Sequence, residues 1–514
     1  MGTPPIRIES RDARDERGRH GTRSCAAAEE TRSNLFTNHK YEKILALIFV
    51  CTLPLVNPWV RGDGVGYYAF ARSVLIEHRL DFRKDWVNAN SSFRMGRVDD
   101  QDHILPSEIT STGHIDNHFS IGPAILWSPF LLAAHVAVQI NHFFAGHISA
   151  DGFSFPYAFA MALGTAIYGF LGIFLSFQLA KKYFSARWAF LGVLGVWFAS
   201  SLPVYMYFNP SWSHAHSAFV VALFFWYWDR TRDDRTWTQW LVLGMISGLM
   251  MDVYYISAVL LIVPLLESLS RYWRGIRSRQ MQIVGHLFLQ NLVFALVLFV
   301  VFLPTLIAKR IIYGDFLQFG YHERWSFFSP ALLRVCFSSE HGLFTWTPVL
   351  LLSVIGLFLL HNRDRALSGY SLLAFVTYLY IIGCYGNWGG ISSFGSRFFV
   401  SLTSLFVLGL ASFFEYLANA LQERRAELLA GLLTALLIVW NMGMIFQWGT
   451  HLIPSRGPIS WRDAAFNQVA VVPLEATHTL ESYLIRRKQL MRHIEEQDVD
   501  HLKSGQPAVS EPSQ

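Results

Sequence analysis

Charge is what this chain has least of. Only 15% of its 514 residues are Asp, Glu, Lys or Arg, against 52% apolar residues. A soluble domain of this length carries more charge, so the composition excludes that class and points to a polytopic membrane protein. The net charge of +5 is small for the length, and no basic face free of apolar residues is available, so nucleic acid is not an expected partner. Cysteine is also scarce. Cys25, Cys51, Cys336 and Cys384 fit no zinc or redox spacing and imply no disulfide framework. Cys336 and Cys384 read as inert small apolar residues rather than a bridge. No internal repeat of the transporter kind is visible. Residues 1–42 hold no apolar core of signal-peptide type; they are polar and arginine-rich and read as a disordered cytoplasmic tail.

Aromatic residues are plentiful. Forty-two Phe, 20 Tyr and 17 Trp suit aromatic belts at both membrane interfaces. A crossing helix needs about 20 mostly apolar residues. Candidate spans lie at 43–60, 155–180, 187–208, 214–228, 237–252, 255–269, 285–308, 342–360, 369–386, 397–419 and 427–447. The segment 121–140 is apolar but carries Pro123, Pro129, His135 and Gln139, and is read as an interfacial helix. That choice puts the Lys181, Lys182 and Arg187 turn, the arginines at 230–235 and 271–279, Arg363 with Arg365, and Arg424 with Arg425 all inside. The expectation is an all-α polytopic membrane protein with about eleven transmembrane helices and the amino terminus inside. Its polytopic domain covers 43–450. A large first outer loop spans 61–153 and carries interfacial helices, and a second outer region spans 309–341. The C-terminal tail, 451–514, is partly helical and outside.

Candidate chemistry collects at the outer face. Asp63 follows the first apolar run, in a glycine-rich turn backed by Tyr67 and Tyr68. A carboxylate at a membrane edge is costly unless paired or used, and this one suits a general base or a group orienting a nucleophile. The competing reading is a helix cap. His214 and His216 start the next helix after Asn209-Pro-Ser-Trp-Ser213 and suit proton handling; one His-x-His is a weak metal signal. The loop 385–397 has glycines at 386, 389, 390 and 395, contains Trp388, and ends in Arg397. An arginine there suits bidentate binding of a lipid-linked phosphate, against the plainer reading of a headgroup anchor. Lys309, Arg310 and His341 bracket the second outer region and add positive charge, with interfacial anchoring as the alternative. Asp252 pairs with one of these cations or caps a turn. The histidines at 103, 114, 118, 135, 142 and 147 read as surface residues. Asn90-Ser-Ser92 fits a glycosylation acceptor pattern.

Several of these pieces resemble the GT-C superfamily of polytopic glycosyltransferases, especially bacterial relatives of the protein O-mannosyltransferases and of the lipid A aminoarabinose transferases. They are Gly62-Asp-Gly-Val-Gly-Tyr-Tyr-Ala-Phe-Ala-Arg72, Ser120-Ile-Gly-Pro-Ala-Ile-Leu-Trp127, Lys181-Lys-Tyr-Phe184, Glu340-His-Gly-Leu-Phe-Thr-Trp-Thr-Pro348 and Asn387-Trp-Gly-Gly-Ile-Ser-Ser-Phe-Gly-Ser-Arg397. The resemblance implies an inverting transfer of a sugar from a polyprenyl-phosphate donor to an acceptor at the outer face. The acceptor, whether protein, lipid or glycan, stays open. It implies a bacterial inner membrane with the site facing the periplasm, and membrane lipid as a further partner. Asp63 would be the first-loop acid. A second acid is common in the outer loop two spans later; here His214 or His216 holds that place, which leaves a divalent metal open, with no certain cofactor. A transporter or flippase of lipid-linked sugars, or a non-catalytic membrane scaffold, are the alternative functions.

Overall fold

The computed structural model describes residues 39–321 and 323–504. The expected tail at 1–42 falls almost wholly outside them. Among the described residues the chain is helical, with three isolated two-residue bridges and no strand. The first helix, α1 (Lys40–Thr52), stands in a separate unit that ends at Cys51. It has 13 residues and a 3-10 turn, Leu53–Leu55, follows it. The span expected at 43–60 is therefore only partly helical, because Pro54 and Pro58 remove backbone donors.

The second unit carries α2 (Asp63–Glu77), α3 (Gly122–Phe143), α4 (Phe155–Tyr183), α5 (Ala186–Phe198), α6 (His214–Thr231) and α7 (Trp237–Val253). It continues with α8 (Ile262–Arg277), α9 (Met281–Tyr313), α10 (Val349–Leu359), α11 (Arg365–Cys384), α12 (Thr403–Ala420) and α13 (Glu423–Gly449). Three further helices close it: α14 (Trp461–Ala470), α15 (Val472–Ile485) and α16 (Arg487–Lys503). Among the described residues seven helices are long and apolar enough to cross a membrane: Gly122–Phe143, Phe155–Tyr183, Tyr255–Arg277, Met281–Tyr313, Arg365–Cys384, Arg397–Ala420 and Glu423–Gly449. Ala186–Phe198 and Val349–Asn362 are shorter apolar helices. The expected span at 187–208 breaks after Phe198, where Ser200, Ser201 and Pro203 intervene, and resumes as a π-helical turn, Val204–Phe208. The stretches at 237–252 and 255–269 are two rods joined by a 3-10 turn, Tyr255–Leu261.

Helices α4 to α13 alternate in direction, and their ends show it. At one end Lys182 of α4 meets Asp229 of α6 at 2.8 Å, and the Tyr183 hydroxyl donates to the same carboxylate at 2.6 Å. Arg232 binds Asp364, the cap of α11, and Arg187 at the start of α5 binds Glu423 at the start of α13. Arg235, just before α7, meets Glu267 of α8 at 2.9 Å. These are the arginine-rich turns of the sequence, gathered at one face. Ends are closed by ordinary capping: Thr236 and Gln239 form a reciprocal box on α7, and Gly314, at φ +79°, stops α9. Nearly all of the Arg397–Ala420 span is buried, so α12 is the centre of the bundle. Its tightest neighbour is α10. A Cβ on Gly356 would stand 1.8 Å from the Gly409 carbonyl oxygen, so only glycine lets these backbones meet.

Helix α3 runs beside α4 over the half away from Lys181. Trp127 Nε1 donates to Thr165 at 2.8 Å, and His135 bonds to Tyr157 at 2.7 Å. Both partners lie in the first half of α4, and α3 does not reach the cationic end. Expected from sequence to be interfacial, this helix is long and apolar enough to cross a membrane. Cys336 and Cys384 are both buried, free thiols.

Candidate active site

At the bundle end opposite the Lys182–Asp229 cluster lies a cavity of about 1730 Å³. Asp63 sits on its wall. Gly62 turns the chain into α2 with φ +53°, and a Cβ there would approach the Trp212 ring to 3.1 Å. That turn presents Asp63 as the first residue of α2. Its Oδ2 accepts a hydrogen bond from Arg397 Nη1 at 2.8 Å. The two residues are 334 positions apart, yet form one ion pair. The Arg397 side chain is 10% exposed and that of Asp63 33% exposed, so both stay open to the cavity.

Arg397 is held from three sides. Its guanidinium lies 4.6 Å over the Trp212 ring and 5.5 Å over Phe398. Trp212 is fixed in turn by donating Nε1–H to the Arg61 carbonyl at 3.0 Å. Behind the guanidinium runs the glycine turn: a Cβ on Gly390, at φ +73°, would stand 3.0 Å from Arg397 Nε. His341 anchors that turn by donating Nδ1–H to the Gly389 carbonyl at 2.7 Å, its ring 5.2 Å from Trp346. Burial pushes the His341 imidazole down to about 4, so it is neutral at neutral pH.

Of the residues singled out in the sequence, Asp63, Tyr67, His214 and Arg397 line the cavity. Tyr67 packs on Phe119 at 4.9 Å, and burial, then the Asp63 charge, holds its phenol above the usual range. His214 lies between Tyr205, at 4.6 Å, and Tyr254, at 5.6 Å, and its Nδ1 has no partner. The others lie elsewhere. His216 points away, into Trp127 and Tyr168. Tyr68 donates its hydroxyl to the Gly152 carbonyl at 2.6 Å. Lys309 is 1% exposed and donates to the carbonyls of Asn117 and Phe119 at 3.0 and 3.2 Å, so it holds the first outer loop and does not face the cavity. Arg310 is exposed over Phe316. Asp252 is buried and accepts from Thr305 at 2.5 Å rather than pairing with a cation. His341 and Trp388 are not among the lining residues.

The cavity also has walls that the sequence did not point to. Tyr254, Tyr255, Val259, Phe302, Phe319 and Trp325 form an apolar side. His118, read from sequence as a surface residue, lines it beside Tyr321, at 5.0 Å. Burial lowers the His118 imidazole, while Asp63 and Asp116 pull the other way. Glu323 is a second carboxylate on the wall. The opposite side is polar and comes from the C-terminal segment. Asp498 of α16 binds Arg61 and accepts from His451 Nε2 at 3.0 Å, and Glu495 accepts from Asn90 Nδ2 at 2.9 Å. The glycosylation pattern at Asn90 is thus tied up in a packing contact. Among the described residues no three His, Cys, Asp or Glu side chains gather as metal ligands. Asp63 already faces a guanidinium, so this donor set does not suit a divalent ion.

Residues 147–313 match the family model described as dolichyl-phosphate-mannose-protein mannosyltransferase. This is a family the sequence motifs resemble, although only Lys181–Phe184 among them falls within the matched stretch. No curated protein matches the sequence. Among solved structures, the chain is similar to ArnT from Cupriavidus metallidurans in the apo state, with TM-score 0.43 and 12% identity, over 81% of this chain and 72% of that one. That likeness is too remote to support an activity.

Proposed function

We propose that this multi-pass membrane protein is a glycosyltransferase that moves a sugar from a polyprenyl-phosphate donor to an acceptor at the outer membrane face. The family match over 147–313 supports glycosyl transfer from a lipid-linked donor. The observation that carries the reading is the Asp63–Arg397 pair on the wall of a cavity that is apolar on one side and polar on the other. Arg397 takes the donor phosphate. A stacked guanidinium offers fixed, charge-assisted donors where charge builds on the leaving group. Asp63 receives the proton of the acceptor nucleophile. The acceptor oxygen bonds to the anomeric carbon as that carbon's bond to the phosphate oxygen breaks, on the opposite face, with inversion. Polyprenyl phosphate leaves. The prenyl chain follows the apolar wall of Tyr254, Tyr255, Phe302 and Phe319, and the acceptor approaches from the side of Trp448, His451 and Asp498. No metal takes part in this scheme.

The purified protein in lipid, given a panel of polyprenyl-phosphate sugars, separates this reading from a flippase. Cleavage of the sugar–phosphate bond with release of polyprenyl phosphate is the expected result. Movement of intact donor across the bilayer with no cleavage contradicts it.

A further inference from the structure

Resting on the reading above, we infer that Asp63 is also the internal rival of the donor phosphate for Arg397, so that donor binding is what frees Asp63 to act as a base. The pair poses a chemical problem that this resolves. A carboxylate oxygen that accepts a hydrogen bond from a guanidinium at 2.8 Å is turned away from an acceptor nucleophile. A guanidinium neutralised by a carboxylate is in turn a weakened phosphate site. As paired, neither residue suits its task.

The surroundings say which partner yields. Arg397 is fixed by the Trp212 and Phe398 rings and by the glycine turn at its back. Asp63 is the freer of the two, 33% exposed at the first turn of α2. A phosphate arriving along the apolar wall meets a guanidinium of fixed orientation. The donor phosphodiester carries a single negative charge, like a carboxylate, but its two non-bridging oxygens can meet the guanidinium as a fork where Asp63 makes one bond. The phosphate displaces Asp63 from Nη1, and the released carboxylate is free to face the acceptor. The other cations on these walls are already engaged: Arg61 is bound to Asp498, Arg97 lies 3.6 Å from Glu108, and Arg456 stands in the field of Asp498, which leaves Arg397 as the partner of Asp63. Donor therefore binds before acceptor is activated. Donor-independent deprotonation at the site is suppressed by the same ion pair.

The test is the affinity of undecaprenyl phosphate for the full-length protein in nanodiscs, measured for wild type, Asp63→Asn, Arg397→Ala and the double variant. Removing a rival carboxylate should tighten binding by about fivefold in Asp63→Asn, the scale expected of a partly exposed ion pair. Arg397→Ala should weaken binding, and in that background Asp63→Asn should change nothing. Unchanged or weaker binding in Asp63→Asn, with wild-type thermal stability, overturns the inference. If Asp63→Asn does not fold, Asp63→Ser serves the same comparison. Unchanged affinity in Arg397→Ala instead overturns the phosphate-site reading on which the inference rests.

Discussion

His341 shows how a residue can serve the site without touching it. It is buried, adopts φ +56°, and its Nδ1–H holds the Gly389 carbonyl, so that Gly390 backs Arg397. Its neutrality has a stability consequence. The unfolded chain binds a proton at this histidine near pH 6.5, whereas the folded protein resists until about 4. The contribution is complete above pH 6.5 and is lost as pH falls from 6.5 to 4, by up to about 3 kcal/mol. Asn at this position keeps a donor for Gly389 but cannot titrate. The pH dependence of thermal unfolding should therefore flatten over that window in His341→Asn. An identical slope in both proteins would show that the histidine carries none of it. From sequence, His341 read as a phosphate ligand. Its actual partner lies 48 residues away, and nothing in the local pattern of residues reveals it.

At the scale of elements, long apolar runs were legible and their interruptions were not. Segments near 155–180, 369–386, 397–419 and 427–447 match helices within a few residues, because about 20 apolar residues leave few alternatives. The break after Phe198 was hidden, since Ser200 and Ser201 are too small to interrupt hydropathy although they sit before Pro203. Close packing was hidden as well. Gly356 and Gly409 look like ordinary glycines in apolar runs, yet they set the contact between α10 and α12. Gly356→Val should cost at least about 1–3 kcal/mol as the helices are forced apart, read as a lower unfolding temperature in detergent. A wild-type transition would mean that the two backbones do not meet this closely.

On the scale of the whole molecule, the order of spans and turns placed the chemistry at one end, while the shape of the cavity came from distant pairings. Asp63 and Arg397 were each visible as charges at membrane edges. Their pairing was not, and neither was the closure of α16 over the first outer loop, where Asp498 meets Arg61 across 437 positions. The C-terminal segment reads in sequence as a charged surface helix because its periodicity records only that it is amphipathic. Sidedness is open to direct test. The Lys182–Asp229 end is expected inside, so a cysteine in Tyr183→Cys should resist an impermeant thiol reagent added to intact cells and react after permeabilisation. Labelling in intact cells would invert the orientation and put the Asp63 cavity in the cytoplasm.

The central claim is that Asp63 and Arg397 form a transferase centre. It is tested most directly by sugar transfer from a polyprenyl-phosphate donor in wild type and Asp63→Asn, at equal amounts of folded protein. Loss of a general base predicts a fall of about a hundredfold or more in transfer, without loss of donor binding. Transfer at the wild-type rate in Asp63→Asn would contradict the account.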